Sequence, residues 1–391
     1  MKSCALILGG YVNGFSIIRE LYDNGVNDII LFDTKRSLAS FSNKIKSFEK
    51  ISNNSNDLLK KLMKIKLDYN YVVIFPTDDF QMELLYEIYD DIKDFCYCPF
   101  NKENLVSSAN KFFQYENCEK LSIPYPKSIH ITKIDHIQKI KEIKFPILLK
   151  PNKRDDLKIE VFRSLKIKNS TDLEENTLLI KSLLEKGVSF LASEIIPGDS
   201  TNNIYAYTAF RNKKGEILNE WVGKKVTQYP DDYGIFATSS NSAPDIIKTQ
   251  GRALLNGMNL MGICEPEFKY DFRDGKYKLM EINLRSMMWH RTGALSGVNL
   301  QITQYNSALE KENIRNIQER NKIVKFVYVK HELINLINRK GYYKIFRENV
   351  FNKVNRNFAV YELRDLKPFL FDCISTGKLV ISACLKRLKG K

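Results

Sequence analysis

The chain has 391 residues, 43% of them hydrophobic and 27% charged, and carries a formal net charge of +15. This is the composition of a globular protein of two or three domains with ample core, and it excludes a disordered or fibrous chain. No apolar run approaches the roughly 18 residues of a spanning helix, the run Cys4–Leu8 is too short for a leader, and the seven cysteines are odd in number and scattered, so a cytoplasmic chain with reduced thiols is expected rather than a membrane-spanning, disulfide-built or zinc-binding one.

Ala5–Leu8 reads as a buried strand, Gly9–Gly14 as a tight turn, Phe15–Asn24 as a helix closed by Gly25, and Asp28–Phe32 as a second strand ending at Asp33. This is a βαβ unit whose glycine turn, with Gly10 in it, can hold an anion at a helix N-terminus. It lacks the Gly-x-Gly-x-x-Gly of a dinucleotide site, and Gly14 is followed by Phe15-Ser16 rather than the Lys-Ser/Thr of a P-loop. Tyr71–Phe75 reads as a third parallel strand, leading into Thr77-Asp78-Asp79 at the strand end where open α/β sheets bind ligands. Asp79 is read first as the cap of a helix Phe80–Tyr89 and second as a substrate contact.

Asn104–Leu121 reads as one helix, Ser122–Pro126 as a linker stiffened by two prolines, and Phe145–Leu149 as an apolar strand ending in Lys150-Pro151. Ile204–Phe210 and Glu216–Val222 read as an antiparallel pair, and Asp245–Asn259 as an amphipathic helix. From Arg320 to the end there are 17 Lys or Arg against 5 Asp or Glu. That segment favours polyanions: nucleic acid, an anionic lipid surface or an acidic glycan.

The stretch Cys264–Arg291 carries the densest chemistry. Arg273-Asp274-Gly275 reads as a three-residue hairpin loop, which sets Glu267 opposite Glu281. With period-two alternation Glu265, Glu267, Lys269 and Asp271 lie on one side of the hairpin, and Glu281, Asn283 and Arg285 of the partner strand lie on that same side. Phe268, Tyr270, Leu279, Met280, Ile282 and Leu284 suit a core. Carboxylates about 4 Å apart repel by roughly 4 kcal/mol at an effective dielectric near 20, so a proton, a basic side chain or a metal must neutralise them. Two Glu and an Asn suit Mg²⁺ shared with phosphates, and Arg285 suits a phosphate oxygen. By spacing alone, a solvated outer face of an ordinary hairpin is the plainer reading.

Glu267 followed by Glu281-Ile282-Asn283-Leu284-Arg285 resembles the metal-binding hairpin of the ATP-grasp superfamily. Other passages agree in order: the approach to the linker at 110–126, Phe145–Pro151, and Phe190–Asp199 as an interdomain hinge. The resemblance covers about residues 3–305 and is nearest the carbamoyl-phosphate-synthase-like and D-aspartate-ligase-like branch. It implies an α/β and α+β chain: a Rossmann-like domain (1–105), an ATP-grasp unit of two α+β subdomains (106–190 with the lid, 191–310 with the hairpin), and a basic C-terminal extension (311–391).

The resemblance further implies ATP and Mg²⁺, with Mn²⁺ as an alternative, on metal ligands Glu267, Glu281 and Asn283. Lys150 and Arg285 would act on the transferred phosphoryl group. Lys150, Glu194, Ile196, Asp199, Lys225 and Met280 would bind ATP, and Glu194 and Ile196 would offer backbone groups to adenine. Arg291, Asp79 and Gly10 are substrate contacts; His290 is read as structural. The implied activity is an ADP-forming carboxylate–amine ligase, joining an amino acid or amine to an anionic carboxylate acceptor such as a cell-surface glycan or peptide precursor. No nucleic acid is favoured. A homodimer and a peripheral contact of the basic C-terminus with the inner membrane surface are compatible with it. The alternatives are a non-catalytic ATP-binding sensor and a biotin-carboxylase-like or purine-pathway enzyme. One departure stands out: Asn152–Lys158 has no glycine where the family lays a glycine-rich loop over the phosphates, leaving Lys153 and Arg154 as side-chain substitutes.

Overall fold

The structure, a computed structural model, describes residues 2–152, 161–162, 164–199, 201–230, 234–352 and 355–389, with 378–389 as backbone. Three sheets organise it. The first is parallel, in the order β3-β2-β1-β4-β5, from β1 (Ser3–Leu8), β2 (Ile29–Asp33), β3 (Ser47–Lys50), β4 (Tyr71–Pro76) and β5 (Cys96–Tyr97). β1 and β4 are almost wholly buried, as continuous apolar runs in a parallel sheet must be. The helix after β1 is Val12–Tyr22, three residues longer at its start than expected. Gly9 takes the positive φ of +86°. Gly14 lies inside the helix, where a Cβ would sit 2.0 Å from the Gly9 carbonyl oxygen. Its glycine therefore serves close packing on the loop, not the turn.

The second sheet has the order β6-β9-β7-β8, all antiparallel, from β6 (Ser128–Ile131), β7 (Ile147–Pro151), β8 (Leu165–Ile167) and β9 (Phe190–Glu194). The third has the order β14-β13-β10-β11-β12-β15-β16, from β10 (Ile204–Arg211), β11 (Ile217–Tyr229), β12 (Ile235–Ser240), β13 (Gly262–Asp271), β14 (Lys276–Asn283), β15 (Lys325–Val327) and β16 (Arg356–Phe358). Its last two strands come from the segment read as a basic extension. The expected helix Asn104–Leu121 is two, Leu105–Ala109 and Lys111–Lys120. The break is Asn110, whose side chain accepts from the N–H groups of Phe112 and Phe113 at 2.9 and 3.3 Å and so caps a new start. Among the described residues no helix is long and apolar enough to cross a membrane.

A buried polar cluster ties the helix Val329–Asn338 to β11 and β12. Glu332, fully buried, accepts from Thr227, Thr238 and Tyr342 hydroxyls at 2.5, 2.6 and 3.0 Å. Beside it His331, 5% exposed, donates from Nδ1 to the Phe236 carbonyl at 2.9 Å. Burial pulls His331 down to about 4, against the backbone bond that favours its charged form. The unfolded chain therefore binds the extra proton between about pH 6.5 and 4, and stability present at neutral pH is lost as pH falls through that window. We expect the unfolding free energy to drop by about 2–3 kcal/mol more for the wild type than for His331→Gln between pH 7 and 4, read by urea titration.

Candidate active site on the β13–β14 hairpin

The hairpin is built differently from the reading and reaches the same pairing. Its loop is Phe272–Gly275, because Asp271 pairs with Lys276. Asp271 starts the turn: its carboxylate accepts from the Arg273 N–H at 3.0 Å and from Arg273 Nε at 2.9 Å. A loop one residue longer would move Glu267 off Glu281. A β-bulge between Glu267 and Phe268, with Met280 as the extra residue, restores the register, and Glu267 faces Glu281 while Glu265 faces Asn283. The same bulge brings Lys278 onto the carboxylate face, 2.7 Å from Asp271 and 3.4 Å from Glu194. Arg273 and Lys278 together hold the Asp271 carboxyl well below the usual carboxylate range.

Two lysines from outside the hairpin balance the facing pair. Lys225 of β11 is buried and ion-paired with Glu267. Lys111, the first residue of its helix, places Nζ 2.5 Å from Glu281. Lys111, backed by Lys150 and Lys225, depresses the Glu281 pKa against the cost of burial. Burial pushes Glu267 up; Glu281 and Glu265 add to this, while Lys225 pulls the other way. The Lys225 ammonium is drawn down by burial but raised overall, chiefly by Glu267 and Glu265. Three carboxylates, Glu265, Glu267 and Glu281, and three lysines, Lys225, Lys111 and Lys150, thus act on one another across this face.

Behind this face lies a positioning pair. Glu265, fully buried, accepts from His290 Nε2 at 2.6 Å and from Asn283 Nδ2 at 3.2 Å. The Met287 N–H donates to His290 Nδ1 at 3.1 Å, so the tautomer carries its proton on Nε2, toward Glu265. With its Nδ2 engaged on Glu265, the Asn283 amide is held in one orientation.

The other expected residues are placed as follows. Lys150 lies on β7 opposite Leu191. The Glu194 N–H donates to the Lys127 carbonyl at 2.9 Å and its carboxylate meets Arg273 at 3.0 Å. The Ile196 carbonyl accepts from Lys269 Nζ at 2.9 Å. Asp199 accepts from the Thr201 N–H at 2.6 Å. Met280 offers its carbonyl to Tyr115 at 3.1 Å. Arg285 forks onto Asp79 at 2.8 and 3.0 Å. Asp79 is not the helix cap: Asp78 is, accepting from the Gln81 N–H at 2.8 Å in a capping box. The Gly10 N–H donates to Asp33 at 2.8 Å. Arg291 stands 3.6 Å from Asp23, at the end of the first helix. The hairpin, Lys225 and Lys150 therefore form one neighbourhood, Arg285 with Asp79 bridges to the first sheet, and Arg291 joins a different cluster. Lys153 and Arg154 lie outside the described residues.

Sequence reasoning missed Lys111 and the Glu265–His290 pair. The Asn110-Lys111 step carried the only local signal, a capping residue before a cation. The donor set fits a hard divalent cation: two carboxylates and an amide oxygen, with no soft ligand. Among the described residues no group of three or more His, Cys, Asp or Glu forms a metal centre by itself.

No protein-family model matches the chain. It is 26% identical over 240 residues to the D-aspartate ligase of Enterococcus faecium (strain Aus0004), a match covering 59% of this chain and 56% of that protein; it spans about half the length of that relative. Among solved structures it resembles N5-carboxyaminoimidazole synthetase from Staphylococcus aureus, with a TM-score of 0.65 at 14% identity over 86% of this chain and 85% of that one. It also resembles the biotin carboxylase domain of the Hydrogenobacter thermophilus 2-oxoglutarate carboxylase, solved with MgADP, ADP and bicarbonate, with a TM-score of 0.62 at 14% identity over 82% and 72% of the two chains.

Proposed function

We propose that this chain, which has the ATP-grasp fold, is an ATP-dependent carboxylate–amine ligase that forms an amide through an acylphosphate. The observation that carries this reading is the Glu267–Glu281 pair, facing across two strands and balanced by Lys225 and Lys111. A relative named as D-aspartate ligase supports it and makes an acidic amino acid the first amine to test. The finer reading is that the acceptor is a carboxylate of a cell-surface glycan or peptide precursor, and that residues 1–105, 106–190, 191–310 and 311–391 are its working units.

Magnesium bound with ATP would draw charge from the β- and γ-phosphates, and Glu267, Glu281 and Asn283 are the residues that would hold it. Glu281, kept ionised by Lys111, is the ready ligand. Glu265, itself held by His290, fixes the Asn283 amide through its Nδ2, so that the oxygen is the atom that would meet the cation. Lys150 lies close enough to act electrostatically on Glu281 and would meet phosphate oxygens. Arg285 would exchange Asp79 for a phosphoryl oxygen as charge moves. The acceptor carboxylate attacks the γ-phosphorus and ADP leaves. The amine then attacks the acyl carbon, phosphate leaves, and the amine's proton passes to solvent. Catalysis of this kind is positioning and electrostatics, with no protein nucleophile.

The test is phosphate release from ATP and Mg²⁺ with D- or L-aspartate and other amino acids, each paired with uronic-acid or peptide carboxylates. Release that depends on both substrates supports the ligase. Tight ATP binding without turnover in any mixture would favour the sensor, and no ATP binding would reject both.

A further inference from the structure

The final helix, Leu366–Lys389, spans 24 residues. One side packs on the first domain: Phe371 stacks on Phe41 at 4.7 Å, and Pro368 is buried. Over the described side chains, which end at Gly377, the opposite side carries exposed apolar residues. Leu366, Leu370 and Ile374 follow at intervals of four and are 41%, 56% and 61% exposed, and Leu363 just before them is 74% exposed. Apolar residues recurring at that spacing make a stripe along one helix face.

Among the described side chains up to Gly377 the charges are sorted in the same sense. Residues 356–391 hold three acids, Glu362, Asp365 and Asp372, against eight Lys or Arg. All three acids are engaged on the packed side. Glu362 meets Lys44 at 3.1 Å, Asp365 accepts from Ser42 at 2.5 Å, and Asp372 accepts from Tyr328 at 3.0 Å and faces Lys330 at 3.4 Å. Arg364 and Lys367 are exposed beside the stripe, and the sequence from Lys378 to Lys391 has five basic residues and no acid.

We propose that this outward face is a docking surface for an anionic lipid bilayer, with the helix lying in the plane of the headgroups. The leucines and Ile374 would enter the acyl boundary while the lysines and arginines meet lipid phosphates. A second copy of the chain fits worse, because it would set two basic faces against each other. A nucleic acid fits worse, because it offers aliphatic side chains no partner. The proposal goes beyond the ligase reading and is tested without ATP.

The full chain is floated with phosphatidylcholine vesicles and with vesicles that also contain phosphatidylglycerol, at low and physiological salt. Binding confined to the anionic vesicles and weakened by salt is expected. Leu370→Ser with Ile374→Ser should weaken it by about tenfold or more, with circular dichroism and melting temperature unchanged, since both residues already face solvent. Absence of vesicle binding, equal binding to both vesicle types, or equal binding of wild type and variant would overturn the proposal. So would a self-association, or an affinity for a DNA oligonucleotide, that the double substitution abolishes while neither protein binds vesicles.

Discussion

Glu281→Gln is expected to lower substrate-dependent phosphate release by about 10²–10³-fold while shifting the melting temperature by no more than about 2 °C. The two halves of that expectation rest on different observations. The Glu281 side chain is 35% exposed and its partner Lys111 28% exposed. Packing desolvates the carboxylate in part, but a pair that keeps about a third of its surface in water is worth about 0–1 kcal/mol to the fold, so the variant should be folded. The carboxylate nevertheless has no neutral substitute in the proposed chemistry: Gln keeps the volume and one oxygen but removes the charge that Lys111, Lys150 and Lys225 hold in place. The loss should fall on kcat more than on KM for the amine, because the group acts on the transferring phosphoryl and not on the acceptor. Ordinary turnover in a folded Glu281→Gln protein would remove the hairpin from the active site.

Much of this neighbourhood was legible because it is local. Period-two alternation and one loop put Glu267 opposite Glu281, although the loop is a residue longer and Met280 bulges out to compensate. Pairing of this kind is held by burial: Leu279 and Ile282 go to the core, and a slip by one residue would exchange them with charges. The βαβ start was legible for the same reason, as apolar runs between glycines. What could not be read was the company the hairpin keeps. Lys111 lies 170 residues before Glu281, and Asp79 lies 206 before Arg285. Neither separation leaves a trace in spacing. The strands β15 and β16 are three residues each, too short for a periodic pattern to register. The outward apolar stripe of the last helix needed its packed side to be known before its bare side could be.

Lys225→Met should destabilise the protein by about 3–5 kcal/mol at pH 8 and far less at pH 5. Lys225 is 5% exposed, and its partners Glu267 and Glu265 are 7% and 0% exposed, so solvent cannot take over its role. Methionine keeps the stem and its packing and removes only the ammonium. Glu267 then faces Glu265 and Glu281 without its ion-pair partner, and burial, which already pushes its pKa up, acts without the opposing pull of Lys225. A carboxyl raised in the folded state binds a proton that the unfolded chain gives up near pH 4.3–4.5. The native state is thus favoured below that pH and loses this advantage as pH rises through the folded pKa. The deficit should therefore widen with pH, which a simple packing defect would not do. It should also shrink when millimolar Mg²⁺ is added at pH 8, and by more than the wild type gains, because a divalent cation at the facing carboxylates supplies the charge that the substitution removed. Urea unfolding of both proteins at the two pH values, with and without Mg²⁺, reads all of this. A deficit independent of pH and indifferent to Mg²⁺ would mean that Glu267 and Glu281 do not form a cation site.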